Sequence, residues 1–208
     1  MSARLLATLS LVLGCASAWA DTELVVYLKT SPAQPAVTVN YMKRELAALM
    51  LTAGYRVEWG KDSDSLNLVV VELNGTCALP AGYSGPMDPP RTAASLAFTS
   101  VTDGQVLPFA KVNCAALTRS LAGPLSGAAA AQRDYFYGRA MARVIAHEFY
   151  HILMQTTGHS RSGVSQSCFS PADLVSERFS FEGAVVAQMR RPQPAPAAVS
   201  DSDDASGR

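Results

Sequence analysis

The chain has 208 residues, of which 49% are hydrophobic and 16% are charged. This length is typical of a single domain, and this apolar fraction is typical of a folded globular protein rather than a disordered one. The 17 basic and 17 acidic residues give a formal net charge of zero. Nothing in this charge balance indicates a nucleic acid or an anionic membrane surface as a partner.

The first 20 residues have the pattern of a secretory signal peptide. Arg4 supplies the positive charge, residues 5–13 form a short apolar run, and residues 18–20 (Ala-Trp-Ala) form a cleavage site. The apolar run is too short to span a bilayer permanently, and no second long apolar stretch follows it, so we expect no integral membrane segment after cleavage. A loose lipobox makes lipid anchoring at Cys15 a weaker alternative. We therefore expect a secreted or periplasmic protein whose folded domain spans residues 21–191.

Apolar patterns along that domain predict five strands and three helices. Alternating or continuous apolar runs predict strands, and apolar residues at helical spacing predict helices. In chain order, the predicted elements are a strand over 23–29, a helix over 37–52, strands over 55–59, 66–73, 94–100 and 106–113, a long helix over 132–155 and a short helix from Ser170. Residues 102–104 (Thr-Asp-Gly) predict a turn, and the proline- and glycine-rich residues 80–90 predict a loop.

The C-terminal helix has a clear start signal. Ser170 is a candidate N-cap, Pro171 suits the first helical position, and Asp173 stands at the capping-box position. Residues 192–208 carry too little apolar surface to fold, which predicts a disordered tail. The order of the elements predicts an α+β fold with a mixed central sheet of about five strands, a covering helix, a long helix and a short C-terminal helix.

Export also bears on the cysteines. Two of the three that remain after cleavage are expected to pair in an oxidising compartment. Cys77 and Cys114 each lie just after a predicted strand, which favours a bridge between them. Cys168 is then either a buried free thiol or an alternative partner of Cys77.

All three histidines of the chain lie within residues 147–159 of the long predicted helix and the segment after it. His147, Glu148 and His151 form an HExxH motif. Residues i and i+4 share one face of a helix, so the two histidines can bind a single zinc ion. Glu148 can then reach toward water on that metal and act as its general base. A helix that carries two histidines by chance is the plainer alternative.

The third zinc ligand is less certain from the sequence. A catalytic zinc site usually has three protein ligands and keeps a fourth position for water. His159 is one candidate. At ~1.5 Å per residue, an unbroken helix would carry the chain about 10 Å past His151, so His159 can be a ligand only if the helix ends near Met154 or Gln155. Glu177, on the predicted C-terminal helix, is the rival candidate.

The residues named above resemble the metzincins, and among these the matrixin-like metallopeptidases with their HExxHxxGxxH motif. The likeness covers about residues 144–181, with His159 in the place of the third histidine and residues 170–174 in the place of the helix that follows. The sequence departs from this pattern in two places. Met154 stands where the family has glycine, and His159 comes two residues later than the family's third histidine. Residues 163–168 stand where the family has a methionine turn, with Ser165 or Cys168 in place of the methionine.

The resemblance implies a zincin fold and a zinc-dependent endopeptidase that acts on a peptide or protein substrate. It implies that His147, His151 and His159 hold Zn²⁺ and that Glu148 is catalytic. It also implies that a strand such as 94–100 forms the cleft rim and pairs with extended substrate. The alternative is a catalytically degenerate zincin-fold module that binds zinc and acts through protein binding. No particular oligomeric state is predicted.

Overall fold

The computed structural model describes residues 21–60, 67–80 and 94–191. The predicted signal peptide, the predicted tail and nearly all of the predicted loop over 80–90 lie outside these residues. The elements are β1 (Thr22–Lys29), α1 (Ala36–Thr52), β2 (Tyr55–Trp59), β3 (Leu68–Asn74), β4 (Ala97–Thr102), β5 (Gln105–Asn113), α2 (Cys114–Ala122), α3 (Ala130–Met154), α4 (Pro171–Val175) and α5 (Gly183–Met189). The predicted α+β fold with a mixed five-stranded sheet is confirmed.

The sheet has the strand order β2-β1-β3-β5-β4. The pairs β1–β2, β1–β3 and β3–β5 are parallel, and α1 provides the crossover that joins the parallel strands β1 and β2. β4 runs antiparallel to β5 and lies at the edge. The predicted turn between them is confirmed, with positive φ at Asp103 and Gly104 as a tight hairpin requires.

The long helix α3 is the central element of the core. Every residue from Tyr137 to Ile152 is buried. Where α3 crosses α1, a Cβ on Gly138 would lie 2.5 Å from Tyr41 Cβ and 2.7 Å from the Thr38 carbonyl oxygen. The two helices therefore meet backbone against backbone, which fixes the position of the side chains that α3 carries. No helix in the described part of the chain is long and apolar enough to cross a membrane.

The helices at the C-terminal end differ from the prediction. The capping box at Ser170 and Asp173 is confirmed, but α4 ends after five residues and a separate helix, α5, follows. Ser176 leaves the helical conformation with ψ 156°, and Arg139 and Arg143 donate hydrogen bonds to the carbonyl groups of Asp173, Val175 and Ser176. Glu177 consequently lies in an exposed bend and not on a helix. The helix α2 was also missed, although Asn113 caps it directly after β5.

The disulfide bridge between Cys77 and Cys114 is confirmed. It joins the segment after β3 to the first residue of α2, and both sulfur-bearing side chains are fully buried. Cys168 is free and exposed, so both alternatives for it, a buried thiol and a partner of Cys77, are wrong. The Gln34 side chain supports the bridge, since it accepts a hydrogen bond from the Cys77 backbone N–H.

Removal of the bridge should destabilise the domain. The bridge closes a loop with a sequence separation of 37 residues. For a loop of this length we expect Cys77→Ala/Cys114→Ala to lower the free energy of unfolding by ~2–4 kcal/mol in urea titrations. Cys168→Ala is the matched control and should change it by less than about 0.5 kcal/mol. Equal stability of the oxidised protein and the double variant would contradict the role of the bridge.

Candidate functional site

The two histidines of the HExxH motif face each other on α3. Their ring centroids are 4.6 Å apart, and the two Nε2 atoms are 3.0 Å apart. Both side chains are largely buried, with 9% of each exposed. The predicted i, i+4 pair is therefore in place on one face of the helix.

Backbone carbonyl groups decide which nitrogen of each ring carries the proton. Nδ1 of His147 lies 2.8 Å from the Val164 carbonyl oxygen, and Nδ1 of His151 lies 2.7 Å from the Thr156 carbonyl oxygen. A carbonyl oxygen only accepts, so each Nδ1 must donate. Each Nε2 of a neutral ring then has a lone pair, and two lone pairs 3.0 Å apart repel unless a cation lies between them. This arrangement fits a metal ion, whose histidine ligands commonly donate their other N–H to such an outer partner.

The helix ends where a ligand role for His159 requires it to end. Gln155 adopts the left-handed conformation with φ 47° and ψ 45°, directly after Met154. The N–H of Gln155 bonds to the Ile152 carbonyl and the N–H of Thr156 to the His151 carbonyl, which is the pattern of a Schellman C-cap. The Gln155 side chain bonds to both the N–H and the carbonyl of Val106 on β5. These contacts hold a non-glycine residue in a conformation that glycine usually takes.

The turn of the chain brings His159 to the pair on α3. Its ring centroid is 5.3 Å from that of His147 and 4.8 Å from that of His151. The candidate ligand atoms of the three histidines all lie within 4.8 Å of one another. Within the described residues, this is the one group of this kind, and Glu177 does not belong to it. His159 is exposed, which leaves one side of the group open to solvent.

A closed turn over residues 160–166 follows His159. The Ser160 N–H bonds to the Ser165 carbonyl at 2.9 Å, and the two hydroxyl oxygens lie 2.7 Å apart. Gly163 has φ +71°, and a Cβ there would lie 2.2 Å from the Ser180 carbonyl oxygen. Ser165 is fully buried and Cys168 is exposed, so Ser165 takes the interior position of this turn. The turn thereby presents the Val164 carbonyl to His147.

Glu148 follows His147 directly on α3 and is buried, with 5% of the residue exposed. Thr99 Oγ1, on β4, donates a hydrogen bond of 2.7 Å to its Oε2 atom. Burial raises the pKa of Glu148 to about 7, and the Thr99 bond opposes that rise. Burial lowers the pKa of His147 to about 4 and also lowers that of His151. Both imidazoles are therefore neutral at pH 7, the form that binds metal.

Two arginines of this region were not singled out in the sequence. Arg139 and Arg143 precede His147 at intervals of four residues, so the four side chains form one polar stripe on α3, defined as Arg139, Arg143, His147 and His151. Arg139 donates to the carbonyl groups of Val175 and Ser176, and Arg143 donates to those of Asp173 and Ser176. The spacing was the available signal, because arginines in register with the motif must also face the interior.

An aromatic chain links the arginines to the first histidine. The Arg143 guanidinium lies 4.8 Å from the ring centroid of Phe179, which is 5.5 Å from that of Phe169. Phe169 in turn packs edge-on against His147, at 5.3 Å between ring centroids. The segment after α3 therefore forms one wall of the site and is anchored at both ends of the polar stripe.

Comparison with known protein families finds no family model that matches the chain, and no curated protein matches it.

Gly163→Ala should lower the stability of the protein more than the same substitution at a positive-φ glycine with open surroundings. Gly127→Ala is the matched control, since Gly127 has φ +76° and nothing within 4 Å of the position of a Cβ. We expect Gly127→Ala to lower the free energy of unfolding by ~1–2 kcal/mol. Gly163→Ala should lose a further ~1–3 kcal/mol, because its Cβ meets the Ser180 carbonyl oxygen. Equal losses in urea titrations would contradict this account of the turn.

Proposed function

We propose that this protein is a zinc-dependent endopeptidase of the metzincin type, in which His147, His151 and His159 hold the metal and Glu148 is the general base. The observation that carries the proposal is the convergence of the His147 and His151 Nε2 atoms, 3.0 Å apart, on a helix that also carries the buried carboxylate of Glu148. A third histidine completes the group.

The donor set favours zinc among the common biological metals. Three imidazole nitrogens suit zinc, whereas calcium and magnesium prefer oxygen ligands. Three protein ligands are also typical of a catalytic site that keeps one position for water or substrate, since structural zinc usually has four. The exposure of His159 supports this, because substrate must be able to reach the open side of the site.

The residues around the metal suit the hydrolysis of an amide bond. When bound, zinc supplies a Lewis acid that polarises the substrate carbonyl and makes water a nucleophile near neutral pH. Because Oε2 of Glu148 accepts the hydrogen bond from Thr99, Oε1 is the atom that takes the proton from the attacking water. Glu148 then gives this proton to the leaving amine, and two peptide fragments result.

The position of the edge strand β4 is a further argument for a peptide substrate. The strand carries Thr99, whose hydroxyl contacts the general base, so a chain bound along β4 would pass the reacting groups. An extended peptide can add to such an edge by backbone hydrogen bonds. The exposed side chains of Phe98 and Val101 offer apolar contacts on the same strand.

The disulfide supports a compartment outside the cytoplasm. Cys77 and Cys114 are paired, and such bridges persist in oxidising environments. We therefore keep secretion or a periplasmic location as part of the proposal, with residues 1–20 as the signal peptide and Cys15 as the alternative lipid-anchored start.

The choice of third ligand can be tested by zinc binding. His159→Ala should weaken zinc binding by more than the roughly 10- to 100-fold that loss of an outer-shell partner costs. Glu177→Ala is the control and should bind zinc like the wild type, because Glu177 lies outside the histidine group. Zinc content by mass spectrometry and titration against a competing chelator give the two affinities. Loss of zinc in Glu177→Ala, with His159→Ala unaffected, would contradict the metzincin arrangement.

The catalytic role of Glu148 separates the peptidase from its alternative. Glu148→Gln keeps the size of the side chain but cannot take a proton, so we expect full zinc content and a ~10²- to 10⁴-fold loss of kcat on a peptide library. Wild-type activity should disappear with a chelator and return with zinc. A zinc-loaded wild type that cleaves nothing would instead favour the degenerate zincin-fold module that acts through protein binding.

A further inference from the structure

A single threonine connects the edge strand β4 with the carboxylate of the motif. Thr99 Oγ1 lies 2.7 Å from Glu148 Oε2, within the range of a strong hydrogen bond to a carboxylate. In the described part of the chain, no other hydrogen bond to the Glu148 side chain is found.

The local geometry of β4 aims Thr99 at α3. Ala97 and Thr99 are two residues apart and share a face of the strand, and Ala97 is buried, whereas Phe98 between them is 48% exposed. The pairing with β5 shifts just after Thr99, since Thr99 pairs with Ala110 and Val101 pairs with Val106. Three residues of β5, 107–109, therefore oppose Ser100 alone. Such bulges bend a strand and re-aim its side chains.

We propose that Thr99 is a positioning residue for Glu148. The Thr99 hydroxyl holds the carboxylate in one orientation by its bond to Oε2 and leaves Oε1 free for the proton transfer. This inference rests on the proposed peptidase function. A glutamate side chain loses rotamer freedom when it is fixed, and the Thr99 hydrogen bond offsets part of that entropy loss before substrate arrives. The same bond links the general base to the strand on which the substrate would lie.

A purely structural role for Thr99 is the competing explanation. The hydrogen bond also fastens β4 to α3, and a loose β4 would alter substrate binding and stability. A fastening role therefore predicts changes in KM and in the unfolding midpoint. A positioning role predicts a change in kcat, with KM and zinc affinity preserved.

The test compares three variants of the full chain. Thr99→Val keeps the β-branched shape but removes the hydroxyl, Thr99→Ser restores the hydroxyl, and Thr22→Val makes the same change at an exposed strand position outside the site. We expect Thr99→Val to lose about 10- to 100-fold in kcat, part of what a general base contributes, with KM within about twofold. Thr99→Ser and Thr22→Val should stay within about threefold of the wild type in kcat.

A second readout does not depend on activity. In the metal-free protein, NMR should show a nuclear Overhauser effect between the Thr99 γ-methyl group and the Glu148 side chain in the wild type. The Thr99 hydroxyl proton should also exchange slowly. Absence of both signals would overturn the inference whatever the kinetics show.

The outcomes separate the two proposals. An active wild type with equal kcat in all variants, or a Thr99→Val change confined to KM and stability, would overturn the positioning role alone. A zinc-loaded wild type without activity would overturn the peptidase function and, with it, the positioning role of Thr99. A kcat loss in Thr99→Val that Thr99→Ser rescues, at unchanged zinc content, is the expected result.

Discussion

The polar stripe on the buried face of α3 is the constraint on which the C-terminal half of the structure depends. A helix that is buried from Tyr137 to Ile152 would ordinarily be apolar there, yet two arginines and two histidines point inward. Each unsatisfied buried polar group costs ~1–3 kcal/mol. The segment after α3 meets this requirement with backbone carbonyl groups, which are those of Thr156, Val164, Asp173, Val175 and Ser176. The path of the chain around the site is therefore largely set by hydrogen-bond satisfaction along one helix.

The two halves of the stripe are satisfied to different degrees. Arg143 is 1% exposed, and burial lowers its pKa to about 10 although Glu45 opposes the change, so it stays charged at pH 7. The Nε atoms of Arg139 and Arg143 have no hydrogen bond within the described residues, although Glu45 lies 3.7 Å from Arg139 Nε. In each histidine Nδ1 has a backbone carbonyl as its hydrogen-bond partner, whereas the two Nε2 atoms converge on each other. Local inconsistencies of this kind are expected at functional sites, where stability is given up for chemistry.

Much of the fold follows from patterns that act over short distances. The strands and the helices α1 and α3 repeat apolar residues at fixed intervals, and the Ser170 capping box satisfies its own backbone groups. The helix α5 was not predicted, and its position depends on contacts with distant residues, such as the hydrogen bond from Tyr55 to the Met189 carbonyl. Likewise, the motif gives His147, Glu148 and His151 directly, but Thr99 is 49 residues away from Glu148 and only the sheet brings them together.

The end of α3 differs from the motif that the sequence resembles, and contacts of the structure account for its geometry. In the metzincin motif that this sequence resembles, glycine ends the helix and the third histidine follows three residues later. Here Gln155 takes the left-handed position, because its side chain is tied to Val106 on β5. The extra residues before His159 also have a use. The Thr156 carbonyl accepts the Nδ1–H of His151, and the Thr156 hydroxyl accepts the N–H of Gly158. The longer connection therefore supplies His151 with the outer partner that fixes its tautomer, and it shapes the turn that carries His159 back to the site.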